Sequence, residues 1–145
     1  MEVTIVSGID PYVPKSGGTR SYVMGLIHFL CERGVKTTLL GVSYNKKEAP
    51  AEYPFNFVPV VKEKKISSYK FLFNLLLKAR KLNIPEASII HTHRPDDMLP
   101  FILFYKNNPK VCTLHGIPYS SIYFKKGHII GKIYKCIENF VLKRT

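Results

Sequence analysis

Ala87-Ser88-Ile89-Ile90-His91-Thr92-His93-Arg94-Pro95 is the stretch on which the fold turns. Ala87 to His91 has the near-continuous apolar character of a parallel strand buried on both faces. Pro95 suits the first turn of a following helix, predicted to run to about Lys106. A buried strand leading directly into a helix is the repeating unit of an α/β sheet, and the rest of the chain repeats it. Upstream, Val3 to Val6 predicts a first strand, followed by a loop holding Pro11, Pro14, Gly17 and Gly18. A helix follows from Thr19 to about Arg33, with Tyr22, Leu26, Phe29 and Leu30 expected on its inner face. Gly34 stands where a helix end favours glycine.

Lys36 to Gly41 predicts a second strand and Tyr44 to Pro54 a polar loop. Phe55 to Val61 is a third strand, placed at an edge because Pro59 interrupts it. Ile66 to Leu82 reads as a long apolar and basic helix closed by Pro85. Beyond the quoted stretch, Lys110 to Leu114 gives a fifth strand. A polar, aromatic loop then leads to a last helix from about Ile129 to Lys143. The expected fold is therefore α/β, a Rossmann-like doubly wound parallel sheet with about five strands present. The alternation calls for another strand after that helix, so the chain (1–145) is expected to be cut before its last strand.

A chain of 145 residues, 46% hydrophobic, suits one domain with one core. Its cysteines, Cys31, Cys112 and Cys136, are odd in number and widely spaced, with no CxxC pair. That argues against a zinc knuckle and for reduced thiols in a cytoplasmic compartment. The N-terminus lacks the pattern of a secretory signal. The apolar runs at Phe71 to Leu77 and Met98 to Tyr105 are too short to span a bilayer. A net charge of +12 suits phosphate groups, nucleic acid or an anionic membrane surface.

Lys15-Ser16-Gly17-Gly18-Thr19 lies between the first strand and first helix, in the crevice where doubly wound sheets bind ligands. Glycines admit close backbone approach, and a helix start offers free N–H groups to a phosphate. The motif is neither GxGxxG nor a P-loop, and an ordinary tight turn explains it equally. His91 and His93 share one side of their strand, with Thr92 opposite. His93 and Arg94 are expected to reach the same crevice, as hydrogen-bond donors to hydroxyls or phosphate. Thr113-Leu114-His115-Gly116 repeats the pattern at the end of strand five. A metal site from His91, His93 and His115 is disfavoured, because no carboxylate or cysteine is placed to complete it. Asp96 and Asp97 are expected to favour the next helix's N-terminus. The basic helix from Lys62 to Lys81 suits either a core-packing helix with a solvated face or one lying on an anionic membrane. Tyr119 to Lys126 adds a second aromatic and basic patch.

Together, Ser16 to Val23, Phe29 to Leu40, Ile89 to His93 and Thr113 to Gly116 resemble the N-terminal domain of glycosyltransferase family 4, a GT-B family. The resemblance implies two Rossmann-like domains around a cleft, this chain being the N-terminal, acceptor-side half and the C-terminal donor-nucleotide domain being absent. It implies sugar transfer from a nucleotide-sugar donor, with retention, to an acceptor held by this half; a lipid-linked or other glycan acceptor fits the basic surface. Gly17 and Gly18 would face the donor diphosphate, and His93 would contact the transferred sugar as the catalytic residue. Arg20, Arg94, His115 and Gly116 would line the cleft or hold the acceptor. No metal or other cofactor is expected, and the isolated chain is expected to be inactive without its missing domain or a partner subunit. The location implied is cytoplasmic, peripheral at the inner membrane face. The competing reading is a non-enzymatic nucleotide- or sugar-binding module working with a partner subunit. Specific nucleic-acid binding is not expected, because the basic residues are dispersed and no recognition motif is present.

Overall fold

The computed structural model describes residues 1–13, 17–44, 53–63, 66–116, 122–124 and 127–145. Lys15 and Ser16, most of the Tyr44–Pro54 loop and much of the 119–126 patch lie outside the described residues.

The elements follow the predicted alternation: β1 (Glu2–Val6), α1 (Gly18–Glu32), β2 (Lys36–Ser43), β3 (Asn56–Lys62), α2 (Ser68–Lys78), a 3-10 turn (Ala79–Lys81), β4 (Ile89–Thr92), α3 (Pro95–Phe104), β5 (Lys110–Cys112) and α4 (His128–Leu142). All strand pairs are parallel, in the order β3-β2-β1-β4-β5. The fold is thus a Rossmann-like α/β sheet of five parallel strands. The chain winds outward from β1 to β3, then returns to place β4 on the other side of β1. That reversal opens a crevice beyond the carboxyl ends of β1 and β4.

Two apolar layers hold the sheet. On one face, Val23 and Ile27 of α1 pack with Val3, Ile5, Leu39 and Phe55. On the other, Phe71 and Leu75 of α2, Met98 and Phe101 of α3 and Val141 of α4 pack with Val6, Leu40 and Ile90. The inner face of α1 differs from the expectation. Tyr22 and Phe29 are exposed, Leu26 and Leu30 half-buried, and Val23 and Ile27 fully buried. The apolar surface of α1 is broader than its contact with β1 and β2, and the compact branched side chains take the sheet side. Phe29 is instead covered by the Arg33 guanidinium, 4.6 Å from the ring centroid.

Local chemistry sets the boundaries. Gly34 adopts φ 71°, the left-handed turn that ends α1. Ser67 caps α2, its hydroxyl accepting from the Lys70 amide at 3.3 Å. The α2 helix stops short of Leu82 because the backbone tightens into the 3-10 turn, where the Tyr105 hydroxyl donates to the carbonyls of Ala79 and Leu82. Pro59 sits opposite Gly41 on edge strand β3, where the register slips. Strand β5 stops at Cys112 rather than Leu114. Its neighbour β4 ends at Thr92 and turns into α3, so only the Thr113 amide still finds a partner, the Thr92 carbonyl at 2.9 Å.

Candidate functional site

Two groups of side chains gather at the carboxyl end of the sheet. The first surrounds the turn leaving β1. The Ile9 amide donates to the Ser7 carbonyl (2.7 Å), and the Ile9 carbonyl accepts from the Val42 amide on β2 (2.9 Å). Asp10 is buried and accepts from two backbone amides, Tyr12 (2.9 Å) and Tyr44 (2.6 Å). These bonds lock the turn so that Gly8, Asp10, Gly17, Gly18 and Arg20 line one cavity of about 260 Å³. An added Cβ at Gly17 or Gly18 would meet nothing within 4 Å, so both glycines leave open space rather than relieve a clash. Gly17 and Gly18 also open α1, whose first N–H groups have no partner within the helix. Arg20 donates from a terminal nitrogen to the Pro11 carbonyl at 3.1 Å, and its Nε is buried without a partner.

A second cavity of about 160 Å³ adjoins the first, sharing Gly8, Ile9 and Thr19 and adding Ser67, Arg94 and Asp97. Arg94 pairs with buried Asp96, which also accepts from the Tyr134 hydroxyl of α4 at 3.4 Å. Burial raises the Asp96 carboxyl despite the Arg94 charge. Burial, then the neighbouring Asp96, pushes Asp97 up to about 7, and its Oδ1 has no hydrogen-bond partner. Both acids occupy the first turn of α3, as expected.

The second group lies on the α1-facing side of the sheet, across from the Arg94 and Asp97 cavity. His91 pairs in register with Ile5, which packs under α1. The rings of His91, His93 and His115 form a column, with centroids 4.6 Å and 5.2 Å apart. His91 Nε2 is 2.8 Å from the Thr113 hydroxyl, and His93 Nδ1 is 3.0 Å from His115 Nε2. Tyr22 meets His93 and His115 edge-on, at 5.7 Å and 5.1 Å. His93 is 3% exposed and its Nε2 is unpartnered, whereas His115 is exposed. Burial first, then the neighbouring imidazoles His91 and His115, depresses His93 to about 3. His91 is lowered by burial and then by His115. Gly116 follows with φ 90°, a conformation that favours glycine, and turns the chain away from the column.

Family-level evidence bears on this arrangement. The model of Glycosyltransferase Family 4 matches residues 16–145. The chain belongs to that family. A search of curated proteins finds no match. In this family 4 domain, Gly17, Gly18 and Arg20 come together, and Arg94 lines the adjoining cavity. His93 and His115 meet each other on the other side of the sheet end, with Tyr22 one turn along α1 from Thr19. The imidazoles stack rather than converge, and among the described residues no three His, Cys, Asp or Glu side chains form a metal-binding group. A larger cavity of about 430 Å³ lies at the amino end of the strands, lined by Glu2, Lys36 and Asn56. Helices of a parallel sheet point their N-termini at its other end, so the carboxyl-edge hollows are the better candidates.

Sequence reasoning missed Asp10 and Tyr134, gave Asp97 only a role at the start of α3, and took Tyr22 for a core position. An acid just after β1 is a legible signal for Asp10. Tyr22, one helical turn beyond Thr19, is masked by its helical spacing from Leu26, which mimics a core position.

Proposed function

We propose that this domain is the acceptor-side half of a retaining glycosyltransferase that uses a nucleotide-sugar donor held by a second domain or subunit. The observation that carries the reading is the exposed His115 imidazole backed by buried His93, at the same carboxyl edge of the sheet as the open glycine hollow that starts α1. The family membership supports sugar transfer, the resemblance noted from the sequence supports retention and a donor diphosphate over Gly17 and Gly18, and the basic surface supports a lipid-linked or other glycan acceptor. A peripheral position at the cytoplasmic membrane face belongs to the same reading. Among the described residues no helix is long and apolar enough to cross a membrane.

The chemistry assigned to the site is electrostatic. As the sugar C1–O bond to the diphosphate breaks, negative charge grows on the leaving oxygen, and N–H groups at the start of α1 stabilise it. The acceptor hydroxyl bonds to C1, and its proton leaves with the diphosphate.

His93 sets the direction of His115. A neutral imidazole carries one N–H. On Nε2 that proton would be a buried donor without a partner, the rarer defect. On Nδ1 it donates to His115 Nε2. With Nε2 accepting, His115 carries its N–H on Nδ1, available as a donor to a sugar hydroxyl. His93 acts here through His115, as a positioning residue.

Titration calorimetry with nucleotide sugars tests the reading, using this chain alone and joined to its donor-binding domain. Binding that appears or tightens only in the joined form is the expected result. Tight binding by the chain alone, with no gain on joining, would favour the binding-module reading instead.

A further inference from the structure

The α3 helix touches both α2 and α4, and the three form one layer over the sheet. The outer side of that layer is apolar. On α4, Ile129 (75% exposed), Ile133 (57%), Cys136 and Phe140 recur at helical spacing, opposite buried Gly131, Tyr134 and Val141. On α2, Tyr69, Phe73 (61%) and Leu77 (62%) do the same, opposite Phe71 and Leu75. Leu103 and Phe104 of α3 are exposed between them. Apolar exposure of this kind, gathered on one side, marks an interaction surface.

Charge decides the occupant. From Ser68 to Lys81 and from His128 to Thr145 the chain carries eight Lys and Arg residues and one acid, Glu138, which is half-buried. Arg80, Lys81, Lys132 and Lys143 are exposed beside the apolar stripes, and Lys70 is exposed there too but paired with Glu63 at 2.6 Å. A second copy docked face to face would bring these like charges together. An anionic bilayer offers negative headgroups to the lysines and an apolar boundary to the Ile and Phe side chains at once.

We infer that the outer face of the α2, α3 and α4 layer is a docking surface for an anionic lipid bilayer. The helices there lie in the interface plane. In a parallel sheet the N-termini of α2 and α3 stand at the carboxyl edge, beside the crevice. Docking by this layer therefore leaves the crevice opening sideways, at headgroup level, within reach of an acceptor carried on a lipid. That last consequence rests on the proposed acceptor reading; the surface itself does not.

Vesicle co-sedimentation of the 145-residue chain tests the surface with no donor or acceptor present, so its outcome is independent of the sugar chemistry. The vesicles are phosphatidylcholine alone and phosphatidylcholine mixed with phosphatidylglycerol. Preferential binding to the mixed vesicles is expected. Phe73→Asp with Ile133→Asp should weaken it by at least ~10-fold, since both positions lose apolar insertion. Lys132→Glu with Lys143→Glu should weaken it by at least ~30-fold, the loss for removing two charges alone. Arg33→Glu with Lys36→Glu, in the connection from α1 to β2 and away from the α2, α3 and α4 layer, should leave it unchanged. All these positions are exposed, and circular dichroism checks that each variant folds. Equal binding to neutral vesicles would overturn the inference. So would equal loss with the α1-side variant, which marks unspecific adsorption of a +12 chain. Undiminished binding by the Asp variants would also overturn it. Concentration-dependent dimers abolished by Ile133→Asp, without vesicle binding, would hand the face to a second copy.

Discussion

Replacing Gly41 by Ala should damage the turn that builds the glycine hollow. A Cβ at this position in β2 would stand 2.6 Å from the Ile9 carbonyl oxygen, 3.0 Å from the Phe57 ring and 3.4 Å from the Ser7 carbonyl oxygen. Two of those atoms are backbone, so no rotamer change relieves the contact. Reaching ordinary contact at 3.4 Å moves Ile9 back by about 0.8 Å, and that stretches its 2.9 Å hydrogen bond from the Val42 amide. Overpacking of this type costs about 1–3 kcal/mol, and a weakened hydrogen bond about 1 kcal/mol more. The smaller unfolded-state entropy of Ala returns about 0.5 kcal/mol. A net loss of about 2 kcal/mol lowers Tm by roughly 4–8 °C for a chain of this size. Thermal unfolding followed by circular dichroism measures it, with Gly25→Ala as the control. A Cβ at Gly25 meets nothing within 4 Å. That helical position should gain up to about 1 kcal/mol. A Gly41→Ala protein as stable as its parent would refute the argument that β2 and the β1 turn are in contact too close for a side chain.

Further perturbations separate folding from function. Gly18→Val should fold with stability within about 1 kcal/mol of the parent. In the joined protein it should raise the donor Kd by at least ~10-fold, read by calorimetry, because the hollow it fills is the proposed diphosphate seat. His93, about 3 when folded, takes up protons on unfolding below its ordinary value of 6.5. Its contribution is therefore fully present above pH 6.5 and falls as pH drops toward 3, by up to about 1.4 kcal/mol per pH unit. Urea unfolding across that range should show a shallower acid slope in His93→Asn. Asp97 has the opposite sign: raised from 3.8 to about 7, it holds its proton better when folded, so stability declines as pH rises between those values. Asp97→Asn should match its parent near pH 4 and exceed it in Tm at pH 8. Histidine side-chain ¹⁵N spectra should show the proton of His93 on Nδ1 and that of His115 on Nδ1. In His93→Asn, His115 should lose its single tautomer.

The sheet is legible in the sequence because β-strand and helix periods separate cleanly here. Ile89–Ile90 reads only as a buried strand, and Pro59 marks β3 as an edge. The near neighbours of each motif are legible too: alternation alone places His91 and His93 on one side. What alternation does not carry is depth. Whether His93 or His115 meets solvent depends on Tyr22 folding back from α1 over β4, a contact between residues far apart in sequence. Arg94 follows His93 directly with extended backbone, φ −150° and ψ 139°, so the same alternation sends it to the other side of the sheet rather than into a shared crevice. The inner face of α1 departs from its periodicity for a related reason. Apolar residues wrap more than half that helix, and only the narrow sheet contact decides which of them are buried.

The most direct test of the transferase account is sugar transfer itself. A panel of nucleotide sugars is offered, with lipid-linked and free glycan acceptors, to this domain alone and joined to its donor-binding domain. Mass spectrometry follows the products. The account predicts transfer only by the joined protein, with anomeric retention. His115→Ala should lower kcat/KM by at least ~10²-fold, the loss expected for a donor that acts on developing charge or its sugar. Turnover by the 145-residue chain alone, or full activity in His115→Ala, would contradict it.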